Sequence, residues 1–185
     1  MTAIEDALLR GDREQFTRQP PKTPLAQIRL LMRAEKGSTR AVAARLGVSQ
    51  RTVERYLAGT RKTPRPQLRA ALVREAAKAW QPRVRRQARK RAATSGGITI
   101  ETRARFGYTA PIGTTDDPRE RRLTVHLPAP YAARLFDAQQ QGAGDRELRD
   151  IVAEGLQEVY FKDGGGRAAG LEVDITDIVY FDVSF

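Results

Sequence analysis

The chain of 185 residues has no cysteine and a single histidine, His126. The first absence removes disulfides, thiolate nucleophiles and sulfur ligation of zinc. The second leaves no means of building a histidine cluster. No apolar run is long enough to cross a bilayer. The opening residues include Glu5, Asp6 and Arg10 and lack a secretory hydrophobic segment. The expectation is a soluble protein of the cytoplasm or nucleoid with no membrane partner. Acidic residues are scarce in one half only. Residues 1–93 hold 23 Lys/Arg against 7 Asp/Glu, a formal +16, whereas residues 94–185 hold 10 against 15, a formal −5. A basic half suits a polyanion, because each phosphate contact releases condensed counterions. The acidic half is expected to fold, to pair with protein or to carry chemistry.

Hydrophobic spacing divides the chain in the same place. Ile4, Leu8 and Leu9 predict a short helix within residues 1–19. Thr23-Pro24 opens a second helix with Leu25, Ile28, Leu31 and Met32 on its stripe, and Gly37 ends it. Two short helices follow, then a helix-forming stretch over residues 67–93 that Pro82 should divide. Thr94-Ser95-Gly96-Gly97 reads as a linker. Beyond it the period becomes two. Ile98, Ile100, Thr102, Ala104, Phe106 and Tyr108 share one strand face; Leu123, Val125 and Leu127 share another. Two helices are expected next, one carrying Tyr131, Leu135 and Ala138, the other capped by Asp145. Leu171, Val173, Ile175, Val179, Phe181, Val183 and Phe185 then alternate in a final strand. The expected fold class is α+β. An all-α helix-turn-helix domain occupies residues 1–93, a linker 94–97, and a domain of hairpin, two helices and returning strand 98–185.

Residues 38–57 carry the helix-turn-helix pattern. Ala43 is small enough for two helices to approach, Gly47 suits a left-handed turn, Val48 fills the corner and Ser49 caps the second helix. Val42, Leu46, Val53 and Tyr56 should pack inward. Gln50, Arg51, Thr52, Glu54 and Arg55 should face outward, at the end of the helix that meets base edges in a major groove. Arginine suits guanine or phosphate, and glutamine suits adenine. Arg61, Lys62, Arg65 and Arg69, just downstream, suit phosphate. The cationic run over residues 83–91 reads either as a second phosphate stripe or as a solvated face.

The second half shows no nuclease or polymerase carboxylate set. Gly164-Gly165-Gly166 lacks the lysine and spacing of a P-loop. Its informative segment is Gly113-Thr114-Thr115-Asp116-Asp117-Pro118, with two hydroxyls and two carboxylates near Arg119, Arg121 and Arg122. Composition alone reads it as a turn, since Asp and Thr side chains bond their own backbone.

In the order of several segments, the chain resembles the telomere-protecting terminal proteins of actinomycete, Streptomyces-type, linear chromosomes and plasmids. Those segments are Phe16-Thr17-Arg18 with Pro20-Pro21-Lys22, Leu30-Leu31-Met32-Arg33, Lys36-Gly37-Ser38, the helix-turn-helix, the Gly113–Asp117 loop and the apolar final strand. The resemblance implies a protein joined through a hydroxyl to a 5′ DNA end, priming synthesis that fills a recessed telomere. The family's priming threonine matches Thr114. Asp116 and Asp117 are supporting carboxylates or turn residues. The partners implied are telomeric DNA, a DNA polymerase and a telomere-associated protein. The chain itself binds no cofactor on this reading; Mg2+ and a deoxynucleotide come with the polymerase, which performs the transfer. Tyr108 and Tyr131 are alternative nucleophiles by chemistry but are expected to pack, and His126 is expected on the surface. The final strand, Leu171–Phe185, is sticky on both faces and invites self-association. The alternative is a helix-turn-helix transcription regulator with a C-terminal oligomerisation domain.

Overall fold

The computed structural model describes residues 2–109, 119–162 and 172–185. It is a mixed, α-rich fold with a small, open, three-stranded antiparallel sheet. Two compact units are present, residues 16–84 and residues 1–15 with 85–185. The chain therefore starts in one unit, builds the other, and returns. The expected division after residue 93 is displaced at both ends. Residues 94–97 are no linker. Ala92–Gly96 form a π-helical turn that closes directly into the first strand. Gly97, at φ 67°, lies so near Leu127 that a Cβ would approach its carbonyl oxygen to 2.3 Å.

Residues 16–84 contain only helices. These are α2 (Pro24–Ala34), α3 (Thr39–Leu46), α4 (Gln50–Leu57) and α5 (Pro66–Ala79), followed by the start of α6 (Pro82–Arg91). Thr23, Ser38 and Ser49 each cap the helix that follows by accepting a backbone N–H. Their core is Ile28, Leu31, Val42, Leu46, Val53, Tyr56 and Leu72, with Ala43, Ala71 and the partly buried Val48 filling in. Pro82 divides the last helical stretch as its missing N–H requires, and the break falls at Trp80 and Gln81, the latter at φ 41°.

The other unit places α1 (Ala3–Glu14), α7 (Ala129–Gln141) and α8 (Asp145–Leu156) in one core with β1 (Ile98–Thr109), β2 (Arg119–Leu127) and β3 (Glu172–Ser184). Strand order is β2-β1-β3. The inner face follows the period of two: Ile98, Ile100, Thr102, Ala104 and Phe106 are fully buried, opposite Leu123, Val125 and Leu127. α1 opens with a reciprocal cap between Thr2 and Glu5 and buries Ile4, Ala7 and Leu8 here. Its stripe was legible in the sequence, but its partner unit was not. Asp145 does not cap α8. Gly144 occupies that position, while Asp145, one residue inside, pairs with Arg149 at 2.8 Å.

The final strand departs from simple alternation. Its register against β1 shifts twice: Ile175 faces Phe106, Ile178 faces Ala104, and Phe181 faces Thr102. Each shift adds one unpaired residue and reverses the parity of the strand. Val179, expected inward, is thus 56% exposed, while Ile178 packs against the core. β3 pairs within the chain, and its Phe181 and Val183 are covered intramolecularly.

Residues 1–15 bind this strand closely. Arg10 donates to Asp182 Oδ1 at 2.9 Å and also to the Phe181 carbonyl. A Cβ on Gly11 would meet the Val183 carbonyl oxygen at 2.5 Å and the Phe185 ring at 2.8 Å. Gly11→Ala should therefore destabilise this unit by about 1–3 kcal/mol, the usual cost of forcing atoms into a packed contact. Urea denaturation followed by circular dichroism should show a lowered midpoint. An unchanged midpoint would mean that α1 does not dock on β3.

Candidate nucleic-acid interface

The division into units sharpens the charge asymmetry. Residues 16–84 carry 16 Lys/Arg and 3 Asp/Glu, a formal +13; the other unit carries 17 and 19, a formal −2. The three carboxylates of the basic unit are all engaged. Glu75, largely buried, accepts from Arg45 Nε at 2.8 Å and from Arg74 Nε at 3.1 Å, with Lys78 Nζ at 3.6 Å. Glu35 accepts from Arg45 Nη1 at 2.9 Å. Glu54 accepts from Gln50 Nε2 at 2.9 Å. Arg45 is thus a structural cation that ties α3 to α5 and to the end of α2.

α3 and α4 meet across Gly47-Val48-Ser49. Gly47 has φ 66° and ψ 35°, the left-handed geometry a side chain would strain, and the Val48 N–H bonds back to the Ala43 carbonyl at 3.0 Å. Ser49 Oγ accepts the Thr52 N–H at 3.3 Å and lies 2.9 Å from Thr52 Oγ1. Val53 and Tyr56 are buried, as their spacing predicts. Gln50, Arg51, Glu54 and Arg55 are exposed, and Thr52 is half-buried with its hydroxyl engaged by the cap.

Arg51 and Arg55 stand one turn apart on the exposed face, and neither side chain has a hydrogen bond or ion pair among the described residues. The segment after α4 is pinned beside it. Thr60 Oγ1 donates to the Arg55 carbonyl at 3.0 Å, the Arg61 N–H to the same oxygen at 3.2 Å, and Tyr56 Oη to the Thr63 carbonyl at 3.2 Å. Arg61, Lys62 and Arg65 on this segment are all exposed. A cation in the first turn of a helix sits against the helix dipole at a cost of about 0.3–1 kcal/mol. Arg51 occupies that position in α4, and Arg40, exposed, occupies it in α3. Arg40 was not singled out from the sequence, although a cation just after a serine cap was the signal for it. An external anion would offset the unfavourable placement of both.

The second candidate segment, with Thr114, Asp116 and Asp117, lies outside the described residues, as does the side chain of Tyr108. Its flanks are described: β1 and β2 pair in register up to Phe106 opposite Arg119. Tyr131 is partly buried. Desolvation, followed by the charges of Glu154 and Glu158, holds its phenol above the usual tyrosine range, which disfavours the phenolate a nucleophile needs. His126 is exposed on β2, 3.2 Å from Thr99 Oγ1. Among the described residues no group of three or more acidic or imidazole side chains is placed to hold a metal ion. No described helix is long and apolar enough to cross a membrane. No family model, curated protein or solved structure matches the chain.

Two outcomes test this arrangement. Burial alone would raise the Glu75 carboxyl, but the bonds from Arg45 and Arg74 and the charge of Lys78 outweigh it and hold it below the ordinary range. A carboxylate with a lowered folded value stabilises above its unfolded value, about 4.3, and loses that contribution as pH falls through the folded one. The basic unit should therefore be at full stability near neutrality and weaken below about pH 4. Trp80, the one tryptophan, lies in this unit and donates to the Arg18 carbonyl at 2.9 Å, so its fluorescence reports the transition. In Glu75→Gln the unfolding free energy at pH 7 should drop by about 1–3 kcal/mol, and its acid-dependent part should shrink. The second test is DNA binding: Arg51→Ala or Arg55→Ala should each weaken affinity by about 1–3 kcal/mol if the side chain reads a base. Anisotropy titrations in which both variants match the parent would remove α4 from the interface.

Proposed function

We propose that this chain is a DNA-binding terminal protein. In this reading α3 and α4 form a helix-turn-helix, α4 enters the major groove, and Thr114 accepts the first nucleotide of the strand to which the protein stays attached. The observation that carries the DNA-binding part is the sorting of charge in residues 16–84. All three carboxylates are held by neighbouring side chains, while Arg51, Arg55, Arg61, Lys62 and Arg65 remain exposed around one helix. Such a surface supplies both the phosphate contacts that position a protein and the arginines that read guanine.

The priming part rests on the resemblance of the Gly113–Asp117 segment and on chemistry. Thr114 Oγ1 attacks the α-phosphorus of a deoxynucleoside triphosphate. A new oxygen–phosphorus bond forms as the bond to the β-phosphate oxygen breaks; pyrophosphate leaves, and the hydroxyl proton passes to a base on the polymerase or to water. A threonine hydroxyl is a weak nucleophile at neutral pH. A partner polymerase supplies the divalent ions that activate it and stabilise the leaving group. This chain supplies the hydroxyl on a segment between two paired strands. Its DNA-binding unit brings that hydroxyl to a chromosome or plasmid end, where a telomere-associated protein is a further partner.

The test uses the full chain, a polymerase, labelled nucleotide and telomeric template. One nucleotide should become covalently attached, and no label should appear without polymerase. Thr114→Ser should retain transfer and Thr114→Ala should abolish it, with DNA affinity unchanged in both. Peptide mass spectrometry of the nuclease-trimmed product should place the adduct on Thr114. An adduct on Tyr108, Thr115 or Tyr131 instead would show that the hydroxyl is misassigned. DNA binding with no attachment under any condition would favour a transcription regulator.

A further inference from the structure

Helix α6 holds six cations and no carboxylate, and the fold divides them. Arg89 turns inward and donates twice to Asp12, at 2.8 Å each. Helical spacing puts Arg86 and Lys90 on the opposite side of the helix from the buried Ala88 and Ala92, and Arg91 on the flank between the two sides. Their side chains are exposed and have no hydrogen bond or ion pair among the described residues. This is not for want of carboxylates, since the unit holds 19 Asp/Glu for 17 Lys/Arg. Elsewhere in it Arg10, Arg103, Arg122, Arg134 and Arg149 each lie within 2.9 Å of one. The dipole at a helix C-terminus favours cations in its last turn. It does not account for Arg86, which stands a turn further back.

The end of α6 opens onto a cavity of about 610 Å³. Arg91, Ser95, Thr99, His126 and Ser184 contribute its polar side chains, and no Asp or Glu side chain lines it. The His126 ring is set by Nδ1, 3.2 Å from Thr99 Oγ1. Gly97 keeps the floor clear, since a Cβ there would come within 2.8 Å of His126 Nε2. A guanidinium, an imidazole and three hydroxyls around an open space present donors to an oxyanion, and Arg86 and Lys90 follow Arg91 round the outer side of the same helix.

We propose that Arg86, Lys90, Arg91 and this cavity form a second phosphate-binding track, which holds the backbone of a DNA strand. It belongs to the unit of net negative charge, so it is a local feature and not a consequence of overall charge. The proposal rests on the reading of the chain as a DNA-binding protein, and it extends that reading to the unit that carries Thr114.

The test is the salt dependence of binding by the full chain, read by anisotropy on a labelled duplex and on the matching single strand. Each lost phosphate contact lowers the slope of log affinity against log salt by about 0.9 on duplex and about 0.7 on single strand. Arg86→Gln/Lys90→Gln/Arg91→Gln should therefore flatten the slope by about 2–3 on the duplex or about 2 on the single strand, and the larger effect names the strand form held. Ser95→Glu, which leaves every cation in place and adds a charge at the cavity, should weaken binding to the same DNA. Circular dichroism should show both variants folded, because the replaced side chains are exposed. Unchanged slopes on both DNAs, with Arg51→Ala/Arg55→Ala still weakening duplex binding, would overturn the second track and leave the α4 interface standing. A flattened slope in the triple variant with no effect at α4 would support the track and remove α4. No effect from either set would overturn both.

Discussion

The carboxylate of Asp12 is 2% exposed and accepts two parallel bonds from Arg89 at 2.8 Å. Arg89 also donates to Gln139 Oε1 at 2.8 Å and lies over the Phe136 ring, 4.8 Å from its centroid. One guanidinium therefore joins α1, α6 and α7. Burying a charge is tolerable only where its partner and hydrogen bonds are complete, and removing one partner leaves the other stranded in a poorly hydrated site. Asp12 can be buried only with Arg89 in place, and the two are 77 residues apart. That pairing makes the unit discontinuous: the helix over residues 3–14 closes a core whose sheet is built from residue 98 onward. The Phe136–Phe185 contact, with centroids 5.1 Å apart, extends the same cluster to Phe185, just past the final strand.

Ion pairing does a second job in the molecule, which is to decide which cations remain outside. Arg45 sits amid a basic sequence, yet Glu75 and Glu35 hold it inside the helical unit. Burial disfavours its charge, but those two carboxylates more than restore it and keep its pKa above the usual value. Arg89 is removed from a continuous cationic run in the same way. What is left is two sets of cations without an ion pair among the described residues, one around α4 and one made of Arg86, Lys90 and Arg91 on α6. The proposed interfaces are these remainders. A count of positive charge along the sequence would have credited Arg45 and Arg89 to them.

The sheet shows how a strand can carry an imperfect pattern without exposing its core. β3 places Val173, Ile175, Ile178, Phe181 and Val183 toward the helices, which a strict period of two cannot do. Two register shifts against β1 absorb the mismatch. Val179 and Tyr180, about half exposed, are left outside on an edge strand. Tyr180 faces Arg103, whose own partner is Glu120 on β2, so the outer face of the sheet is crossed by charge as well as by these two apolar residues.

The sequence by itself determined the elements. The Thr23 and Ser49 caps, Pro24 in a first turn, Gly47 between two short helices and the period of two from Ile98 to Phe106 are local signals, and each appears where it was expected. The outward set on α4 was legible for the same reason, since helical geometry fixes which of eight residues oppose Val53 and Tyr56. Three things were decided only in three dimensions. One is the membership of α1 in the sheet unit, because an amphipathic stripe specifies that a face is buried and not against what. Another is the strand parity after Thr176, because a bulge depends on the partner strand. The last is which charges are structural, because an arginine next to a distant carboxylate looks, in one dimension, like any other arginine.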